Sequence, residues 1–171
     1  MTMTQSLGPS TGAHPTKCID ENAWALGEAL WNWRALGLDG RTRRADLVTA
    51  AAKIGTEGRR GRIGPPAIVL GWAVNELAPA ARGRLLSELT TLVERGSALL
   101  LIEPIARTLT PWWAEWVERL SPHGAESHDW KFDIALPGRL AEIDHEAGFR
   151  REGLSARTLS CGSRGGAPFL Q

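Results

Sequence analysis

Two kinds of hydrophobic run alternate along this chain. "AIVLGWAV" (67–74) and "SALLLIEP" (97–104) are continuous and apolar, and they read as strands covered on both faces. Between and around them the apolar positions recur at steps of three and four. Leu26, Leu30 and Trp33 form one such stripe, with Asn22 as N-cap of a helix running to Leu36 and "GLDG" (37–40) ending it. Leu85, Leu86, Leu89, Leu92 and Val93 form a second, opened by Pro79 and stopped at Gly96. Trp113, Trp116, Val117 and Leu120 form a third behind Thr110 as N-cap, and Leu136, Leu140, Ile143 and Ala147 a fourth.

Shorter signals complete the order. Lys17–Ile19 reads as the end of a buried strand closed by Asp20, 41–51 holds a short strand ending near Asp46, and 55–66 is a flexible loop whose arginines are solvated. Residues 129–135 fit a half-exposed strand and 153–161 a last one. This alternation predicts an α/β fold, a Rossmann-like mostly parallel sheet with helices on both faces. Residues 1–15 are expected as a disordered lead-in, 16–161 as the domain and 162–171 as a flexible tail. Ligands of such sheets sit beyond the carboxyl ends of the strands, which here are Asp20, Asp46, Gly71–Glu76 and Glu103–Pro104.

Composition narrows the partners. A net charge of +1 over 171 residues gives no bulk attraction to nucleic acid or to an anionic membrane, and no apolar run reaches the length of a membrane span. Cys18 and Cys161 lie far apart and read as free buried thiols in a reducing cytoplasm, with no metal site expected. His123, His128 and Asp129 read as solvated side chains. Eight tryptophans stand beside three phenylalanines and no tyrosine; several fall on helical stripes, which suits core or interface anchors.

The strand ends "CIDENAWAL", "AIVLGWAVNEL" and "ALLLIEPIA", with the closing "LSARTL", resemble in order and spacing the later strands of Rossmann-like S-adenosylmethionine-dependent methyltransferases, over roughly 16–160. The resemblance implies methyl transfer from S-adenosylmethionine to an acceptor it does not specify. It implies that Asp20 binds the cofactor's ribose, unless that carboxylate caps the following helix. Asp46 is then either near the adenine or a surface aspartate. Gly71 and Trp72 pass beside the cofactor, with core packing as the other reading of Trp72. Glu76 or Glu103 is either a base for the acceptor or a loop-holding carboxylate.

The family's first strand and Gly-rich loop have no counterpart before Lys17. The expectation is therefore an N-terminally shortened member lacking the central strand between those ending at Asp20 and Gly71. A related branch associates with the small ribosomal subunit and carries a cysteine cluster that this chain lacks. A second reading keeps the fold without catalysis, as an interaction module that meets a protein partner through Trp112, Trp113 and Trp116.

Overall fold

A computed structural model describes residues 2–4, 16–60, 64–106, 108–134, 137–148 and 153–162. The chain runs β1 (Thr2–Thr4), β2 (Thr16–Asp20), α1 (Ala23–Ala35), β3 (Gly40–Arg44), α2 (Leu47–Arg59), β4 (Ala67–Gly71) and α3 (Pro79–Glu94). It continues through β5 (Ala98–Glu103), α4 (Trp113–Leu120), a single 3-10 turn at Ser121–His123, β6 (Glu126–Phe132), α5 (Gly138–Glu146) and β7 (Leu154–Cys161). The strands form one sheet in the order β3-β2-β1-β4-β5-β7-β6. β2 pairs parallel with β3 and β4 with β5, while β1 and β7 are antiparallel to both of their neighbours. The α/β class holds. The sheet is mixed, with β1 and β7 opposed to the common direction of the other strands.

The central slot, expected to be empty, holds β1. All three residues pair with β2 and two of them, Thr2 and Met3, also with β4, Met3 facing Cys18 on one side and Val69 on the other. A reversed strand from within the expected lead-in therefore supplies ladder partners to the inner edges of β2 and β4, where unpaired buried amides would cost about 1–3 kcal/mol each.

Register sorts the side chains into two layers. Ile68 lies beside Leu99 and Leu70 beside Leu101, and these continue to Cys161 and Leu159 on β7. All six are buried with Leu85, Leu86, Leu89 and Leu92 of α3 and Trp113, Trp116 and Leu120 of α4. Leu47, Val48 and Ile54 of α2 pack on the same core. The other face carries the smaller cluster of Cys18 with Leu26, Ala29 and Trp33 of α1. Trp33 lies so close over Gly40 that any Cβ there would enter its ring, so the first residue of β3 has to be glycine.

Three sequence expectations change. Within the segment read as a strand and then a loop (41–66), β3 is followed by α2, which runs to Arg59; 61–63, with Arg62, lie outside the described residues. Gly55 and Gly58 argue against a helix by about 1 kcal/mol each, but packing against α3 outweighs them. Arg95 Nη1 also donates to the Gly55 carbonyl at 3.1 Å. The third helix starts at Trp113, because the Thr110 hydroxyl donates back to the Ala106 carbonyl at 3.3 Å and its own carbonyl accepts from Trp113 N at 3.1 Å. The fourth stripe does not face a core: Leu140 and Ile143 of α5 are exposed, and Leu136 lies outside the described residues. The expected tail, apart from Gly162, also lies outside them.

Candidate functional site

The ends of β2, β4 and β5 share one edge of the sheet, and two of the expected site carboxylates there, Asp20 and Glu103, are engaged by backbone. Asp20 Oδ1 accepts from Asn22 N at 2.7 Å, and the Asn22 side chain in turn accepts from Trp24 N at 2.9 Å, starting α1. Asp20 thus serves the helix entrance, the structural alternative weighed for it. Arg44, its partner across β3, donates from Nε to the Glu21 carbonyl at 2.9 Å and ties the two strand ends together.

Asp46 stands one residue beyond the third strand's short linker, as N-cap of α2, and accepts from Thr49 N at 2.8 Å. That amide bond holds its carboxyl below the ordinary carboxylate range against the opposing effect of partial burial. Asp46→Ala is expected to lower stability by about 1 kcal/mol in urea denaturation, with Asp46→Asn close to wild type. Because the folded-state pKa is depressed, this contribution is present above the ordinary aspartate pKa and fades as pH falls through the depressed one. The alanine deficit should therefore shrink in acid, and a deficit that holds constant to low pH would contradict the cap.

β4 ends at Gly71, and Trp72 follows with φ +49°, its N–H donating to the Ile102 carbonyl at 2.9 Å. The indole is 53% exposed at the edge of the sheet. Its core-packing reading is therefore overturned: the tight turn throws the side chain outward. The turn carries Val74 N back over β5, where it donates to Glu103 Oε1 at 2.9 Å. Glu103 is 0% exposed. Burial pushes its carboxyl up from the usual glutamate value, opposed by the amides of Val74, Ala73 and Asn75. Its Oε2 and the Asn75 Oδ1 are buried without a hydrogen-bond partner among the described residues. Glu76 is exposed and accepts from Asn75 Nδ2 at 3.4 Å. Glu103 is thus a brace for the β4 turn, and the edge gathers Asp20, Gly71, Trp72 and Glu103 while setting Asp46 at the head of a helix.

The tryptophans divide differently from expectation. Trp112, Trp113 and Trp116 are buried, so they form no binding face; they pack ring against ring, Trp112 to Trp116 at 4.9 Å between centroids. The exposed indoles are Trp72 and two on α1, Trp24 at 72% and Trp31 at 65%. The sequence held a signal for the latter two. α1 reads AWALGEALWNWRA, apolar beyond the one stripe that meets the sheet.

Two further features were not read from the sequence. Arg157 makes a two-pronged contact to Asp129 at 3.2 Å and 3.2 Å, with its guanidinium 5.2 Å from the Trp113 ring centre. His128, Trp130 and Phe132 line up on β6, Trp130 and Phe132 with their ring centres 6.2 Å apart and planes 2° from parallel. His123 sits in the 3-10 turn, 3.8 Å from Glu94, away from His128 and Asp129 on β6.

No family model matches this sequence, and no curated protein matches it. Among solved structures the chain is similar to one from Methanobacterium thermoautotrophicum, described as precorrin 8W decarboxylase, the product of gene MT0146. The identity is 18% and the TM-score 0.46, over 86% of this chain and 68% of that one. The methyltransferase assignment is corrected accordingly: neither sequence comparison ties this chain to that family. The apolar runs and strand-end acids that carried the resemblance follow from how any α/β sheet is built and capped, so they do not select one chemistry. No described helix is long and apolar enough to cross a membrane.

Proposed function

We propose that this chain is a protein-binding α/β domain that meets its partner through the outer face of α1. The observation that carries this is the pair Trp24 and Trp31, exposed on a helix whose opposite face is already anchored by Leu26, Ala29 and Trp33. Seven residues apart, they stand on one line about 10 Å along the axis. Gly27 lies between them with nothing within 4 Å of where a Cβ would be. Two indoles therefore flank a dip that accepts an apolar side chain of the partner. Burying their exposed parts contributes about 2–4 kcal/mol each, the scale of interface anchors. Glu21 and Glu28 are exposed beside them and favour a basic rim on the partner. The cytoplasm is the compartment of this reading, since Cys18 and Cys161 are both free and buried.

Photo-crosslinking in cells tests it. A benzophenone amino acid at position 31 is expected to give a discrete adduct that the same group at Glu118, exposed on α4, does not give. Adding Trp24→Ala should reduce the adduct. Equal labelling from both positions, or none from 31, would reject α1 as the docking face.

A further inference from the structure

The two ends of the sheet differ in a way that bears on self-association. At one end β3 reads GRTRR, and pairing two copies about Thr42 would set Arg41 against Arg43. Like charges directly opposite oppose pairing, so this edge is protected. At the other end β6 reads ESHDWKF, and among the described residues no strand lies beyond it. We infer that β6 is a homodimer interface, pairing antiparallel with β6 of a second copy about a twofold axis through Trp130.

Register and charge select that axis. When a twofold axis stands perpendicular to a sheet, facing residues share one side of the strand, so the axis must pass through a residue. Centred on Asp129, the pairing would set two carboxylates opposite each other. Centred on His128, it would set Glu126 against the Trp130 ring. Centred on Trp130, it sets Asp129 against Lys131 of the other copy, and Lys131 against that copy's Asp129. Opposite charges facing across strands contribute favourably.

The cation Arg157 already stands on the inner side of Asp129, at the facing position of β7. Each Asp129 would then lie between an arginine of its own chain and a lysine of its partner, with Arg157 itself mostly buried. On the opposite face, Trp130 would meet its own copy and His128 would meet Phe132. The short ladder of His128, Trp130 and Phe132 becomes one aromatic strip across the axis. Trp130 is already fixed for this by its Nε1–H, which donates to the Thr158 hydroxyl at 2.8 Å.

A seven-residue edge buries less than a permanent interface, so the dimer belongs to the micromolar, reversible class. The twofold axis keeps corresponding faces of both sheets on one side. Both α1 helices would then stand on the same side, far from the join, free for a bivalent partner. The dimer itself does not depend on α1.

Sedimentation velocity of the full chain at about 100 μM, a concentration that saturates micromolar interfaces, should give twice the chain mass of 18.6 kDa. Lys131→Glu should weaken the dimer tenfold or more by placing like charges across the axis, and Lys131→Arg should retain it. Circular dichroism checks that each variant is folded. Trp31→Ala should leave the dimer intact, which separates this interface from the α1 surface. A monomer at that concentration would overturn the inference and make Asp129 and Lys131 edge guards. A dimer indifferent to Lys131→Glu, or one lost with Trp31→Ala, would also overturn it.

Discussion

Replacing Trp116 by alanine is expected to remove about 3–5 kcal/mol of stability, much of what a domain of this size has. The indole is 1% exposed and lies at the centre of the larger layer, edge-on to Trp112 with ring centres 4.9 Å apart. Trp112 in turn meets Trp113 at 5.6 Å, and Trp113 holds Ser127 of β6 through an indole N–H bond of 3.1 Å. Collapse into the void is resisted because α4 has only eight residues and is tethered by Trp113 to the sheet and by Leu120 to the core. Urea denaturation is the measurement. Trp31→Ala, at an exposed position, should stay within about 0.5 kcal/mol of wild type. A loss below about 1 kcal/mol for Trp116→Ala would place this side chain outside a packed core.

That contrast between buried and exposed indoles is where sequence reading met its limit. The strands 67–71 and 98–103 were legible because a doubly covered strand needs apolar residues at every position. α3 was legible for the opposite reason: one buried face, a proline at the start and Gly96 at φ +91° at the stop. α2 was not, since two glycines and a run of charge mask a helix whose stability comes from α3, distant in sequence. β1 was beyond reach as well. Three residues of "TMT" carry no period, and only the pairing groups offered by β2 and β4 define them as a strand.

The site followed the same division. Acids at strand ends were visible at Asp20 and Glu103, because a run of apolar residues closing on a carboxylate stands out in any listing of the chain. Their occupation was not visible. Whether a carboxylate faces solvent or accepts an amide depends on the turn that follows, and at Trp72 that turn takes a backbone conformation sequence gives little sign of. The pairing of Asp129 with Arg157 was equally hidden, since it joins residues 28 apart that become neighbours only when β6 and β7 register.

Glu103→Leu is expected to destabilise the fold by about 1–3 kcal/mol for every amide it leaves unpaired. Val74 N donates to it at 2.9 Å, and the amides of Ala73 and Asn75 also favour the carboxylate. The loss falls on the turn that holds Trp72 at φ +49°, a conformation costing about 1–3 kcal/mol that persists only while its surroundings enforce it. Glu103→Gln keeps an acceptor for these amides and should retain most of the stability, which separates the hydrogen bonds from the charge. pH then separates wild type from the glutamine variant. Burial raises the Glu103 pKa in the folded state, so the fold prefers the protonated form. That preference contributes fully below the ordinary glutamate pKa and is lost as pH rises through the raised folded value. Glu103→Gln, which has no proton to lose, should therefore gain on wild type between acid and mildly alkaline pH. Urea denaturation of all three proteins at pH 4 and pH 8, below and well above the ordinary glutamate pKa of about 4.3, reads both effects. Leucine matching glutamine at both pH values would show that the carboxyl braces nothing, and parallel pH profiles for wild type and glutamine would show that it stays charged in the fold.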